Sequence, residues 1–233
     1  MRSKFNCLLT GESGVGKTPF VATLEHCEQT SPCLLLDVDD GAMSVVEEPR
    51  PSIVRVDSWA TMQNMYSLLR KQDWSGLAKV TGREVEGYRS VVIDSGTELE
   101  YILRRLVVQE SSAEVPEQQH YLRTQIRFSS LYRAFRDLPM SFVMVAGVRD
   151  LKDDISGIVR HAPEFQPALS KDLVRMTDLV LFQNVAVRDK KWVHTLQTHL
   201  SQRVVARDRS QRLDSIIEAE KLYFGDIVEK VLL

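Results

Sequence analysis

Cysteine is scarce in this chain and poorly spaced for chemistry. Three residues, Cys7, Cys27 and Cys33, stand without a C-x-x-C pair. That leaves neither a disulfide framework nor a zinc spacing, and points to reduced, buried thiols. An excess of one charge is missing too. The chain carries 30 basic against 32 acidic residues, a formal net charge of −2. A basic coat that grips duplex DNA at large is therefore excluded, while a local basic loop is not. Long apolar runs are absent: the longest, FVMVAGV at 142–148, is far below the roughly 18 residues of a membrane span. The apolar stretch behind the basic tip is shorter than the about 7–15 residues of a secretory core. A cytoplasmic protein with no membrane partner is the expectation. No Pro/Gly/Ser-rich linker, repeat or low-complexity tract appears, and 43% of the 233 residues are hydrophobic. Residues 1–233 therefore read as one domain.

What is present is an alternation of short apolar runs and helical stretches. Strands are expected at 5–10, 33–38, 52–56, 90–94, 141–148 and 177–185, several of them apolar throughout, as in strands covered on both faces. Helices are expected at 17–28, 59–72, 97–110, 118–137 and 168–176. This order predicts an α/β fold, a mostly parallel sheet with helices on both sides. Towards the end, 191–200 and 202–208 read as an antiparallel pair extending the sheet, and 213–232 as helical. The polar stretch 73–89 reads as a surface loop.

The strongest signal is GESGVGKT at residues 11–18, a full G-x-x-x-x-G-K-[ST] between an expected strand and an expected helix. The nucleotide-binding stretch is expected over Gly11, Glu12, Ser13, Gly14, Val15, Gly16, Lys17, Thr18 and Pro19, where the backbone N–H groups of residues 13 to 18 close round phosphate oxygens, helped by the helix N-terminus. Lys17 reaches the β/γ-phosphates and Thr18 holds Mg²⁺. Pro19 follows immediately. The first four N–H groups of a helix have no intrahelical acceptor, so a helix starting near Gly16 or Lys17 loses no bond to this proline.

Two further acidic positions frame the loop. The run SVVID ends in Asp94, where a second magnesium carboxylate is expected at the end of a neighbouring strand. The run CLLLDVDD places Asp37, Asp39 and Asp40 at another strand end. These acids either position and deprotonate an attacking water or form a solvated turn.

Together these motifs resemble the RecA-like P-loop ATPases, most closely the phage nucleotide-binding proteins counted among single-strand annealing recombination proteins. The resemblance extends from LLTGESGVGKT through LLLDVDDGAMS, VVIDSGTELE and FVMVAGVRD to PALSKDLVRMTDLVLF and VVARDRSQRLD. It implies an ATPase using ATP and Mg²⁺, acting on single-stranded DNA as a homo-oligomeric ring or filament, with a single-strand DNA-binding protein as a possible partner. A viral origin would place it in the host cytoplasm.

Carried over by position, Lys17, Thr18 and Asp94 take the phosphate and metal roles. Asp39 stands where relatives carry a water-activating glutamate, with Asp40 able to share that role. Arg207 and Arg209 match arginines that reach a neighbour's nucleotide. Gly147 replaces a polar γ-phosphate sensor, a place for which Arg149 is the substitute. The stretch 149–171, expected as a long loop, lies where such proteins contact DNA. Lys152, Arg160, His161 and Lys171 would meet phosphates there and Phe165 a base, against the charge of Asp150, Asp153, Asp154 and Glu164. A helicase- or packaging-like motor and a nucleotide-gated DNA-binding module with little turnover are the rival readings, and a small-molecule kinase a more distant one.

Overall fold

The computed structural model describes residues 4–111, 114–152 and 157–232. In chain order its elements are β1 (Asn6–Thr10), α1 (Lys17–Ala22), β2 (Cys33–Asp37), β3 (Ser52–Arg55), α2 (Trp59–Lys71), α3 (Trp74–Thr81), β4 (Ser90–Asp94), α4 (Gly96–Glu110) and α5 (Gln118–Arg136). There follow β5 (Ser141–Ala146), β6 (Val148–Lys152), β7 (Val159–Pro163), α6 (Pro167–Met176), β8 (Leu179–Arg188), β9 (Lys191–Gln197), β10 (Arg207–Asp208), β11 (Ile216–Ala219) and α7 (Phe224–Leu232). None of the described helices is long and apolar enough to cross a membrane.

Nine described strands form one sheet, in the order β11-β9-β8-β1-β5-β4-β2-β3, with β10 also paired to β8. From β8 to β3 every pairing is parallel, while β9, β10 and β11 pair antiparallel. The α/β class expected from the sequence, with antiparallel C-terminal strands, is the class observed.

The apolar strands split by parity, as side chains alternate across a pleat. Leu8, Leu34, Leu36, Val91, Ile93, Phe142 and Met144 face a core closed by α2, α4, α5 and α6. Cys7, Leu9, Cys33, Leu35, Val92, Val143 and Val145 face the other side, against α1 and α7. The three cysteines are free and buried, and burial pushes the thiols of Cys7 and Cys33 well above the usual range.

Four expectations need correction. The stretch 73–89 contains α3, because the Asp73 side chain accepts from Gly76 N–H and so caps a turn whose Leu77 is buried. Residues 191–200 do not pair with 202–208. Instead β9 folds back on β8 through Asp189 and Lys190, both at positive φ, and its other edge takes β11. The helical segment expected over 213–232 is β11 followed by α7. Finally, among its described residues the stretch 149–171 is no loop. It holds the antiparallel β6–β7 hairpin and the start of α6.

Candidate nucleotide-binding site

Parallel strands deliver their C-terminal ends to one edge, and there β1, β2, β4 and β5 open onto a cleft of about 840 Å³. The loop after β1 forms its floor. Helix α1 begins at Lys17 behind Gly16, whose φ of 89° is left-handed and favours glycine. Pro19 is the third helical residue, and the first ladder bond runs from Phe20 N–H to Gly16 O at 3.1 Å. The proline therefore costs the helix nothing. Gly11 is needed for a different reason: a Cβ there would lie 2.5 Å from Gln183 O on β8.

Lys17 Nζ folds back over the loop and donates to Gly11 O at 2.9 Å and Glu12 O at 2.7 Å. Burial lowers its pKa, while Asp94, Asp39, Glu164 and Glu12 draw it up again. The ammonium thus lies in the field of four carboxylates.

Thr18 Oγ1 donates to Asp94 Oδ2 at 2.6 Å, joining helix α1 to the end of β4. Burial pushes the Asp94 carboxyl up to about 6; the Thr18 hydrogen bond opposes this and the charge of Asp39 adds to it. Asp37 stands in register with Asp94 on the adjacent strand. Its pKa is also raised by burial, against the backbone N–H groups of Ala42 and Gly41. Asp39 lines the cleft and accepts from Gly41 N–H at 3.1 Å.

Asp40 does not share this position. Its backbone is left-handed, and its exposed carboxylate pairs with Arg55 at 3.4 Å outside the cleft lining. Arg149 does not replace the sensor missing at Gly147 either. Its Nε is buried without a hydrogen-bond partner among the described residues, and the residue is not part of the lining.

Several residues here escape sequence reasoning. Glu98 and Glu164 line the same cleft, although Glu98 carries no role within VVIDSGTELE and Glu164 is expected only as a charge opposing DNA contact. Gln183 is buried on β8 and donates from Nε2 to Val15 O at 3.0 Å, bracing the phosphate loop. A second cavity, of about 390 Å³, shares Gly16, Pro19 and Ser44 with the cleft. Phe20, Val45, His194 and Leu222 wall it, and the ion pair of Lys221 with Glu47 stands at its edge. Its walls come from four distant stretches, so no local pattern announces it.

The expected DNA contacts divide. Lys152, Arg160 and Lys171 are exposed, with Arg160 Nε donating to Gln202 O at 3.2 Å. His161 is tied to Asp150 at 2.8 Å and stacked on Phe182. Phe165 is misassigned as a base-stacking residue: it is 3% exposed and packs on Phe128 in the core. Asp153 and Asp154 lie outside the described residues. Arg207 and Arg209 sit by the start of β8, at the edge of the sheet away from the cleft. Arg207 bonds Val174 O; Arg209 bonds Arg175 O and pairs with Asp178 at 3.2 Å.

No curated protein sequence matches the chain. Among solved structures, the KaiC-like protein PH0186 from the hyperthermophilic archaeon Pyrococcus horikoshii OT3 is similar at 13% identity and a TM-score of 0.43, over 83% of this chain and 77% of that chain. Residues 3–210 match the family model described as the AAA domain, and the chain belongs to that family.

Proposed function

We propose that this protein binds ATP with Mg²⁺ and hydrolyses it, working on single-stranded DNA as a homo-oligomer. The observation that carries the nucleotide part is the convergence of the phosphate loop, Lys17, Thr18 and Asp94 at one cleft. In the bound state Lys17 exchanges the carbonyls of Gly11 and Glu12 for phosphate oxygens, and the loop amides take the remaining charge. The donor set suits a hard dication: a hydroxyl and a buried carboxylate in contact, with Asp39 and Asp37 beside them and an excess of negative charge around Lys17. Thr18 and Asp94 would hold Mg²⁺, which would supply positive charge against the phosphates. The adjoining 390 Å³ cavity is of a size to take the nucleoside end.

The DNA part rests on the resemblance and on the exposed Lys152 and Arg160 of the β6–β7 hairpin. Oligomerisation rests on the resemblance and on the placement of Arg207 and Arg209 away from their own cleft. As trans-acting groups, these arginines would leave their intrachain partners for a neighbour's phosphates.

ATP turnover by wild type and Lys17→Ala, each with and without single-stranded DNA, tests the reading. DNA-stimulated hydrolysis lost in Lys17→Ala is expected. Nucleotide binding without turnover would favour the gated module instead.

A further inference from the structure

Gly147 follows β5 where the strand opens onto the phosphate cleft, and the space its side chain would fill belongs to another residue. A Cβ at Gly147 would lie 2.1 Å from Glu164 Oε2. Glu164 comes directly after β7, and its backbone is clamped at this spot. Its N–H donates to Gly147 O at 3.0 Å; Thr97 Oγ1 donates to its carbonyl at 3.1 Å and accepts from Gly147 N–H at 3.0 Å. The side chain is half-buried, lines the cleft with Lys17, Thr18 and Asp94, and receives no hydrogen bond on its carboxylate from any described residue.

The other acids of the cleft are less free or less well placed. Asp94 is engaged by Thr18, Asp37 by Gly41 and Arg55, and Asp39 by Gly41. Glu12 is exposed on the loop itself. Glu98 sits in the first turn of α4, whereas Glu164 is one of the charges that draw up the Lys17 pKa. An unengaged carboxylate on a fixed backbone, at the end of the strand between those bearing the phosphate loop and Asp94, has the freedom a proton acceptor needs.

We propose that Glu164 is the general base of ATP hydrolysis in this protein, a role the family resemblance assigns to Asp39. A water oxygen attacks the γ-phosphorus, the bond from that phosphorus to the β–γ bridging oxygen breaks, and the water proton passes to the Glu164 carboxylate. The products are ADP and inorganic phosphate, and the proton leaves to solvent. This rests on the nucleotide reading above.

The test measures Mg-ATP affinity, steady-state turnover and thermal unfolding for wild type, Glu164→Gln, Gly147→Ala and Asp39→Asn. Glu164→Gln should bind Mg-ATP as wild type does while turnover falls by roughly 10²-fold or more. Gly147→Ala, which displaces the carboxylate without removing it, should show the same split. Asp39→Asn should keep more turnover than Glu164→Gln at saturating Mg²⁺. A smaller loss in Glu164→Gln, a loss of nucleotide binding along with turnover, or a greater loss in Asp39→Asn overturns the assignment. A wild type that binds no ATP sinks the nucleotide reading itself, so the two failures are distinct.

Discussion

Thr18 and Asp94 are joined by a 2.6 Å hydrogen bond between hydroxyl and carboxylate, across the gap between helix α1 and strand β4. The bond helps Asp94 ionise, but burial outweighs it and pushes the carboxyl up from an ordinary 3.8 to about 6. Because the folded pKa is raised, the folded state holds its proton longer than the unfolded chain does. Stability from this group is complete below the unfolded pKa and is lost as pH rises from about 4 to about 6. Asp94→Asn should therefore be more stable than wild type at pH 7.5, by up to roughly 3 kcal/mol for a shift of this size, and unfold at a higher temperature. The gap should close towards pH 4, and the variant should gain nothing from Mg²⁺ and ATP. Thermal melts across that range, with and without Mg-ATP, check both halves.

Gly11 faces a wall that cannot yield. The atom 2.5 Å from its would-be Cβ is the backbone oxygen of Gln183, on a strand paired on both sides. Gly11→Ala should cost about 1–3 kcal/mol through overpacking. In urea this should appear as a lowered midpoint with an unchanged slope.

Phe165 distinguishes a core residue from a DNA contact. Its ring packs on Phe128 at 5.6 Å and closes over Gly96. Phe165→Ala should lower stability by about 3–5 kcal/mol. Loss of DNA affinity with unchanged unfolding would restore the stacking role.

Val46 is 70% exposed on the rim of the 390 Å³ cavity. Val46→Trp puts an indole at that mouth without disturbing the core. ATP affinity should fall by about tenfold, a 1.4 kcal/mol effect, while the unfolding midpoint stays put. Titration with a fluorescent ATP analogue alongside thermal melts separates the two.

The parts of the site legible in the sequence are those whose residues are neighbours in the chain. GESGVGKT carries its own geometry, and SVVID announces Asp94 because an apolar run must end where the buried sheet does. Glu164, Gln183 and Leu222 reach the site from distant elements, and none sits in a pattern that sets it apart. The hairpin β8–β9 was hidden for a related reason: its turn uses Asp189 and Lys190 at positive φ without the glycine that usually marks such turns. Phe165 misled because an aromatic among basic residues looks alike whether it points to solvent or to the core.

The smaller cavity draws its walls from the first helix and from residues 220–222, next to the final one. A nucleoside seated there would act as a staple between the two ends of the chain. Saturation with nucleotide should then slow amide exchange across 216–232 as strongly as at the phosphate loop. Occupancy would be readable at the last helix by anything bound to its outer face.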